Sequence, residues 1–454
     1  LRPTITCECS IDAINRIRQS NQAPKQHHAR HGVQLPPLQV TLAAWREVTA
    51  RHRYQASNLI AGAGGGDKSR GGKSIGNRLW RRRLFLLKGA VMGYRLDTLA
   101  DSRRNNLRIV RLVAASAVIF SHSYVVNLGI AALAIEPLGL LTGVDCGELA
   151  VDIFFIASGF LVGRSLMRGR DPLDFALSRV LRIYPGLICA VLAMAFLLGP
   201  VVTELSAHAY FRDSTLYRFI AFDVTMFSPW RFTPKLPGTF AHLPYPGVVN
   251  ASLWTLPWEL WMYVTLLGLY LVRGLGRAYP LILCAIALAY VAMALHLWQM
   301  DPFLALAIRF LAFFHAGVAA YRYRDRISLS WPGLAGASAM MLVVGVATQS
   351  TLLLPLWLAY AVLFVAYYPP LVVERWCDGP DYSYGVYIYA YAVQQTLVWY
   401  FGPMAVFPSF LLAWGLTMPL AMLSWHFVEE PALALKARLR SRRAGDRPSA
   451  RAAA

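Results

Sequence analysis

NNLRIVRLVAASAVIFSHS, residues 105–123, sets the terms on which the rest of the chain is read. From Leu107 it is an apolar run that carries Arg111 near its start and His122 eleven residues later. A helix of about 20 mostly apolar residues is what crossing a bilayer requires. Along such a helix eleven residues rise about 16 Å and return to within about 20° of the same face. An arginine at one end and a histidine deep in the span therefore line one side of it. Ionisable groups at that depth are costly and mark function by default.

The whole composition agrees with a membrane setting. Of 454 residues, 57% are hydrophobic and 15% charged, where soluble chains carry about 25% charged residues. The formal net charge of +20 is unevenly placed. Residues 1–105 hold 19 Lys/Arg against 6 Asp/Glu, residues 431–454 hold 7 against 1, and the long apolar middle is nearly balanced. A nucleic-acid binder would show its basic face inside the folded part, so that class is excluded. Cys7, Cys9, Cys146, Cys189, Cys284 and Cys377 have no ligand-like spacing, which predicts neither a disulfide framework nor a metal site.

Outward from residues 105–123 the middle yields ten apolar segments, at about 109–130, 149–163, 184–205, 253–272, 279–298, 303–321, 331–349, 351–370, 382–401 and 406–428. The fold class expected is all-α, a polytopic membrane protein of about ten transmembrane helices. Loop Lys/Arg orient it. With the N-terminus inside, the inner loops carry Arg164, Arg168, Arg170, Arg179 and Arg182, then Arg273 and Arg277, then Arg322, Arg324 and Arg326. Four of the outer loops carry no Lys or Arg. The discordant one, 206–252, is long and rich in proline and aromatics, including Tyr210, Phe211, Tyr217, Trp230, Phe232, Phe240 and Tyr245. It reads equally as a sugar-stacking surface and as an interfacial belt. Both termini come out cytoplasmic.

Three regions follow: a basic N-terminal extension, 1–104, expected to be disordered; a transmembrane domain, 105–431; and a basic cytoplasmic tail, 432–454. The chain begins with Leu, and Met92 stands shortly before the first apolar segment. This raises the hypothesis that the natural product starts at Met92.

Counting depth along the segments places Asp152, Glu259, Arg309, Gln394 and Gln395 in one layer in the outer half of the bilayer. The expectation is a single buried polar site. Taken singly, Asp152, Arg309 and the two glutamines read equally well as packing partners between helices; His122 with Arg111 and Glu259 reads as functional.

These residues fall within a set of motifs. Arg111-x10-His122, AVDIFFIASGFLVGRSL at 150–166, SRVLRIYP with Arg179 and Arg182, SLWTLPWELWMY at 252–263, IRFLAFFHAG at 308–317, DYSYGVYIYAYAVQQ at 381–395 and SWHFVEEP at 424–431 occur in this order. Together they resemble the acyltransferase-3 family of ten-span membrane O-acyltransferases over about residues 105–431. Arg108 stands where relatives commonly have an acidic residue. The resemblance implies transfer of an acyl group, most often acetyl from acetyl-CoA, to a hydroxyl of a surface or secreted glycan at a bacterial inner membrane. Acyl-CoA is then a co-substrate, and no bound cofactor is implied. Arg111, Arg179 and Arg182 would meet the donor's phosphates. His122 would act as general base, with Glu259 and Asp152 completing the catalytic group; Arg309, Gln394 and Gln395 would support it. An acyl-His intermediate is the covalent variant. The competing class is a polytopic transporter without covalent chemistry, which would be marked by internal repeats with paired broken helices; no such repeat is evident.

Overall fold

Each of the ten apolar segments overlaps a helix in the computed structural model of the chain, which describes residues 93–169, 171–226 and 235–435; the third helix begins at Pro172, earlier than its apolar segment, and so carries Arg179 and Arg182 itself. The expected N-terminal extension up to residue 92, the tail from residue 436, and Trp230 and Phe232 lie outside the described residues. The helices are α1 (Leu107–Leu128), α2 (Cys146–Met167), α3 (Pro172–Ala193), α4 (Leu256–Leu271), α5 (Tyr279–Ala294), α6 (Pro302–Arg322), α7 (Trp331–Thr348), α8 (Leu354–Tyr367), α9 (Ser383–Phe401) and α10 (Val406–Ser424). A π turn (Met194–Leu198) and a last helical turn carry α3 on to Val202. Another π turn (Trp425–Glu429) prolongs α10.

Local chemistry sets these boundaries. Asp145 caps α2 by accepting from the backbone N–H of Gly147 and Glu148, and Asp301 caps α6 through Phe303 and Leu304, with Pro302 at the first helical position. Gly129 (φ 87°) and Gly402 (φ 77°) end α1 and α9 in conformations that a side chain disfavours.

Six of the helices are long and apolar enough to cross a membrane: α1, α2, α3 with its extension, α6, α7 and α10 with its extension. The other four are shorter or more polar. α5 and α8 are apolar but have 16 and 14 residues, α4 has 16 and carries Glu259, and α9 carries Gln394, Gln395 and a series of tyrosines. The protein is therefore a mostly helical, multi-pass membrane protein.

Close packing centres on α2 and α6. A Cβ added at Gly159 would land on the carbonyl oxygen of Phe314, and one at Gly317 on that of Ile156. Bare glycines let the two backbones touch, the usual means of helix association where no hydrophobic drive exists between helices. Phe155 and Phe310 stack at 4.3 Å in the same seam. On the other side, α1, α9 and α10 share a small core built on Ala115, Ile119, Val386, Ala390, Leu397, Ala413 and Ala421.

The boundary of the folded domain lies earlier than expected. Residues 93–104, read from sequence as part of the extension, are folded. β1 (Tyr94–Arg95) pairs antiparallel with β2 (Ser328–Leu329), and Tyr94, Leu96 and Ala100 are buried. The Ala100 carbonyl accepts from Arg164 at 2.8 Å, and Asp101 pairs with Arg168 at 3.1 Å. The few apolar side chains here are too short a run for a periodicity signal, yet each finds a tertiary partner.

The described part of the loop 206–252 also departs from a simple surface loop. Gln395 donates to the carbonyls of Tyr245 (2.9 Å) and Val248 (2.8 Å), Asn250 to that of Ile388 (2.7 Å), and Thr255 meets the Tyr387 hydroxyl at 2.5 Å. The chain thus descends beside α9 from Gln395 to Tyr387, about 12 Å of helix rise, before α4 begins.

Candidate active site

That descent lowers Glu259 into a cleft between α1, α2, α3, α4 and α9. The cleft holds about 810 Å³ of empty space, open solvent at its mouth included. Arg111, Arg179, Arg182, Glu259, Tyr263, Ser158 and Ser383 line one part, with Leu161, Val162 and Ile183 among them; Val151, Phe154, Phe155, Leu256 and Tyr387 line the more apolar remainder, with Thr255 beside Tyr387.

Charge at the polar end is arranged in pairs. Arg111 donates to Asp381 at 2.6 Å, and Arg182 bridges Asp381 at 2.9 Å and Glu429 at 3.0 Å. Arg182 is also flanked by the rings of Tyr384 (5.6 Å) and Trp425 (5.4 Å). Glu429 sits in the π turn, only 1% exposed, and accepts from Ser424 at 3.1 Å. Asp381, in the loop before α9, accepts from the Ser383 hydroxyl at 2.6 Å. Burial pushes its carboxyl up, but the Arg111 and Arg182 guanidiniums and Ser383 outweigh that and hold it down at about 2.

Arg179 differs from its neighbours. Its guanidinium lies 5.9 Å from the Phe175 ring centroid and 5.8 Å from that of Tyr263. Its buried Nε has no hydrogen-bond partner, and it makes no ion pair among the described residues. Glu259 accepts from Ser158 at 3.2 Å and from Tyr263. The site therefore offers one arginine free to take an anion, beside two that carboxylates hold in place.

His122 lies farther along the bundle and does not line the cleft. Its ring meets that of Tyr391 edge-on, centroids 5.0 Å apart and planes at 86°, and its Nδ1 is buried without a partner among the described residues. Tyr391 is one turn beyond Tyr387 on α9, and Glu259 one turn beyond Thr255 on α4. His122 and Glu259 are thus separated by about two helical turns, roughly 12 Å.

The other polar groups expected in the same layer resolve into separate contacts. Arg309 grips the fully buried Asp152 through two bonds, 3.1 and 2.8 Å, and reaches Glu148 at 3.3 Å, tying α6 to α2. Gln394 donates to the Ile119 carbonyl (2.8 Å) and the Ser123 hydroxyl (2.9 Å) on α1. Gln395 holds the descending loop. The expected single layer is not found: the loop delivers α4 at a deeper level, so Glu259 meets Ser158, six residues beyond the Asp152 that Arg309 holds on α2. Arg108 donates to the Cys377 carbonyl at 2.7 Å.

Sequence reasoning did not single out Asp381 and Glu429, although both lie in the motifs 381–395 and 424–431. Their signal was a carboxylate next to a span end, which also describes an ordinary headgroup-level residue.

A protein-family model described as an acyltransferase domain matches residues 104–428. An O-acetyl transferase of Shigella phage Sf6 is 30% identical over 349 residues, 72% of this chain and 96% of the relative. Nodulation protein 10 of Rhizobium leguminosarum bv. viciae is 31% identical over 386 residues, 76% of this chain and 97% of the relative. No solved structure matches the chain.

Proposed function

Because the chain belongs to the acyltransferase-3 family and is a membrane O-acyltransferase, we propose that it moves an acetyl group from cytoplasmic acetyl-CoA to a hydroxyl of a surface or secreted glycan. In this reading it sits in the cytoplasmic membrane with about ten spans and both termini inside.

The observation that carries the reading is Arg179, without an ion pair among the described residues, in a cleft that gathers its charged side chains toward one end and is more apolar toward the other. Acyl-CoA has the same polarity: phosphates at one end and a neutral thioester arm at the other. Arg179 takes phosphate oxygens directly, while Arg111 and Arg182, fixed by Asp381 and Glu429, add field at the mouth. The arm extends past Phe154 and Tyr387 toward His122. There a neutral imidazole accepts the proton of the acceptor hydroxyl as it attacks the thioester carbon, and then returns a proton to the departing thiolate. Glu259 favours the transient imidazolium through space, an effect strengthened by the low dielectric of the interior. Asp152, with Arg309, serves as a clamp between α2 and α6, and Gln394 and Gln395 fix α9 against α1 and the loop.

The test is mass spectrometry of surface polysaccharide from a strain lacking the gene, complemented with wild type or with His122→Ala. Loss of an acetyl mass step on deletion, restored by wild type and not by a His122→Ala protein present in the membrane at normal level, is the expected result. An unchanged glycan after deletion overturns the acceptor; full restoration by His122→Ala overturns the base.

A further inference from the structure

α9 presents a ladder of tyrosines. Tyr384, Tyr387 and Tyr391 stand at i, i+3 and i+7, so they share one helix face. The first two line the cleft. The Tyr384 hydroxyl donates to the Ile183 carbonyl at 2.7 Å, and that of Tyr387 meets Thr255 at 2.5 Å. The third rung is different. Tyr391 is fully buried, and its hydroxyl has no partner among the described residues. It stands beside His122, whose Nδ1 is in the same condition.

Buried hydroxyls are nearly always paired, because one left unpaired gives up its bonds to water for nothing in return. Two such groups on rings in edge-on contact call for a hydrogen-bond partner from a ligand. We propose that the Tyr391 hydroxyl is the hydrogen-bond donor to the carbonyl oxygen of the acyl thioester, and that His122 and Tyr391 together form the reaction centre. The assignment rests on the acyl-transfer reading above.

The chemistry divides between the two groups. The acceptor oxygen bonds to the thioester carbon and its proton passes to His122. The carbonyl π pair moves onto oxygen, where the Tyr391 O–H donates to the developing negative charge and keeps its own proton. Collapse re-forms the carbonyl and breaks the carbon–sulfur bond, and the thiolate takes the proton from His122. The products are an ester and free CoA thiol. A donor aimed at charge that exists only in the transition state raises turnover without tightening substrate binding.

Tyr391→Phe tests this, because it keeps the ring against His122 and removes only the hydroxyl. In purified protein supplied with acetyl-CoA and acceptor, kcat is expected to fall roughly a hundredfold, the usual loss for one such donor, with KM for acetyl-CoA and thermal stability unchanged. A trifluoromethyl-ketone analogue of acetyl-CoA, which mimics the tetrahedral adduct, should bind the variant about as much more weakly. S-ethyl-CoA, which lacks the thioester carbonyl, should bind both proteins equally. Wild-type turnover by Tyr391→Phe, or equal weakening toward the ketone and the thioether, overturns the assignment. If wild type itself transfers no acyl group, the underlying reading fails, and the assignment with it.

Discussion

Arg179 and Arg182 stand three residues apart on one helix and play opposite parts. Arg182 is held by two carboxylates and two aromatic rings, so removing it strands the buried Glu429 and leaves Asp381 to Arg111 alone. Breaking a buried ion pair in this way costs about 3–5 kcal/mol. Arg182→Ala is therefore expected to lower thermal stability in detergent markedly. Arg179→Ala strands nothing and should leave stability nearly unchanged. It should instead raise the Kd for acetyl-CoA by about 10- to 100-fold, the worth of one charge-assisted hydrogen bond. Equal stability losses in the two variants, by scanning fluorimetry, would sink this division. Asp381 keeps the arrangement charged over a wide pH range. Its folded-state pKa lies below the ordinary carboxylate value of about 3.9, so its contribution is complete above that value. It is lost only as pH falls through about 2. Arg111, Arg179 and Arg182 were legible because charge inside or beside an apolar run stands out. Their carboxylate partners were not: span-end acids are common, and only tertiary structure shows that both are held on arginines.

At the scale of elements, the α2–α6 seam carries the packing argument furthest. Gly159 is pressed against the Phe314 backbone, which cannot yield as a side-chain tip would, whereas a Cβ at Gly336 on α7 meets nothing within 4 Å. The same substitution should therefore have opposite signs. Gly159→Ala is expected to destabilise by about 1–3 kcal/mol, as overpacking does, and to weaken the Asp152–Arg309 contact across the seam. Gly336→Ala should be neutral or stabilising by up to about 1 kcal/mol, the helix-propensity gain. Melting of the two purified variants checks this, and a Gly159→Ala protein as stable as wild type would contradict it. The helices themselves were legible from apolar run length, to within a few residues at most ends. The chief misreading was α4. Hydropathy located its apolar stretch, but no local pattern reveals that residues 245–255 run down along α9 by bonding to Gln395 and Ile388. Without that, Glu259 is counted into the layer of Asp152 and Arg309 instead of the arginine-lined cleft. Residues 93–104 were missed for a related reason: their two-residue strand pairs with a segment more than 230 residues away.

For the whole molecule, function and orientation are coupled through one asymmetry. The cleft's three arginines come from α1 and α3 at the end of the bundle that also carries Arg164, Arg168, Arg322, Arg324 and Arg326, the positive loops of the orientation argument. Were that face extracytoplasmic, the arginine end of the cleft would meet no acyl-CoA, and the proposed donor could not be used. Topology is thus a direct test of the donor. In a background with the native cysteines replaced, Gln299→Cys lies in the exposed turn between α5 and α6, and Asp325→Cys in the exposed turn between α6 and β2. A membrane-impermeant maleimide added to intact cells is expected to label the first and leave the second unlabelled until the membrane is opened. The reverse pattern would put the arginine cleft outside, and the donor would then have to be an anionic acyl carrier available there rather than cytoplasmic acetyl-CoA. Labelling of both in intact cells would contradict the span between them, since α6 is among the helices long and apolar enough to cross. Only the expected pattern lets a charged donor enter from the side where it is made and hand its acyl group across the bundle to a hydroxyl on the far side.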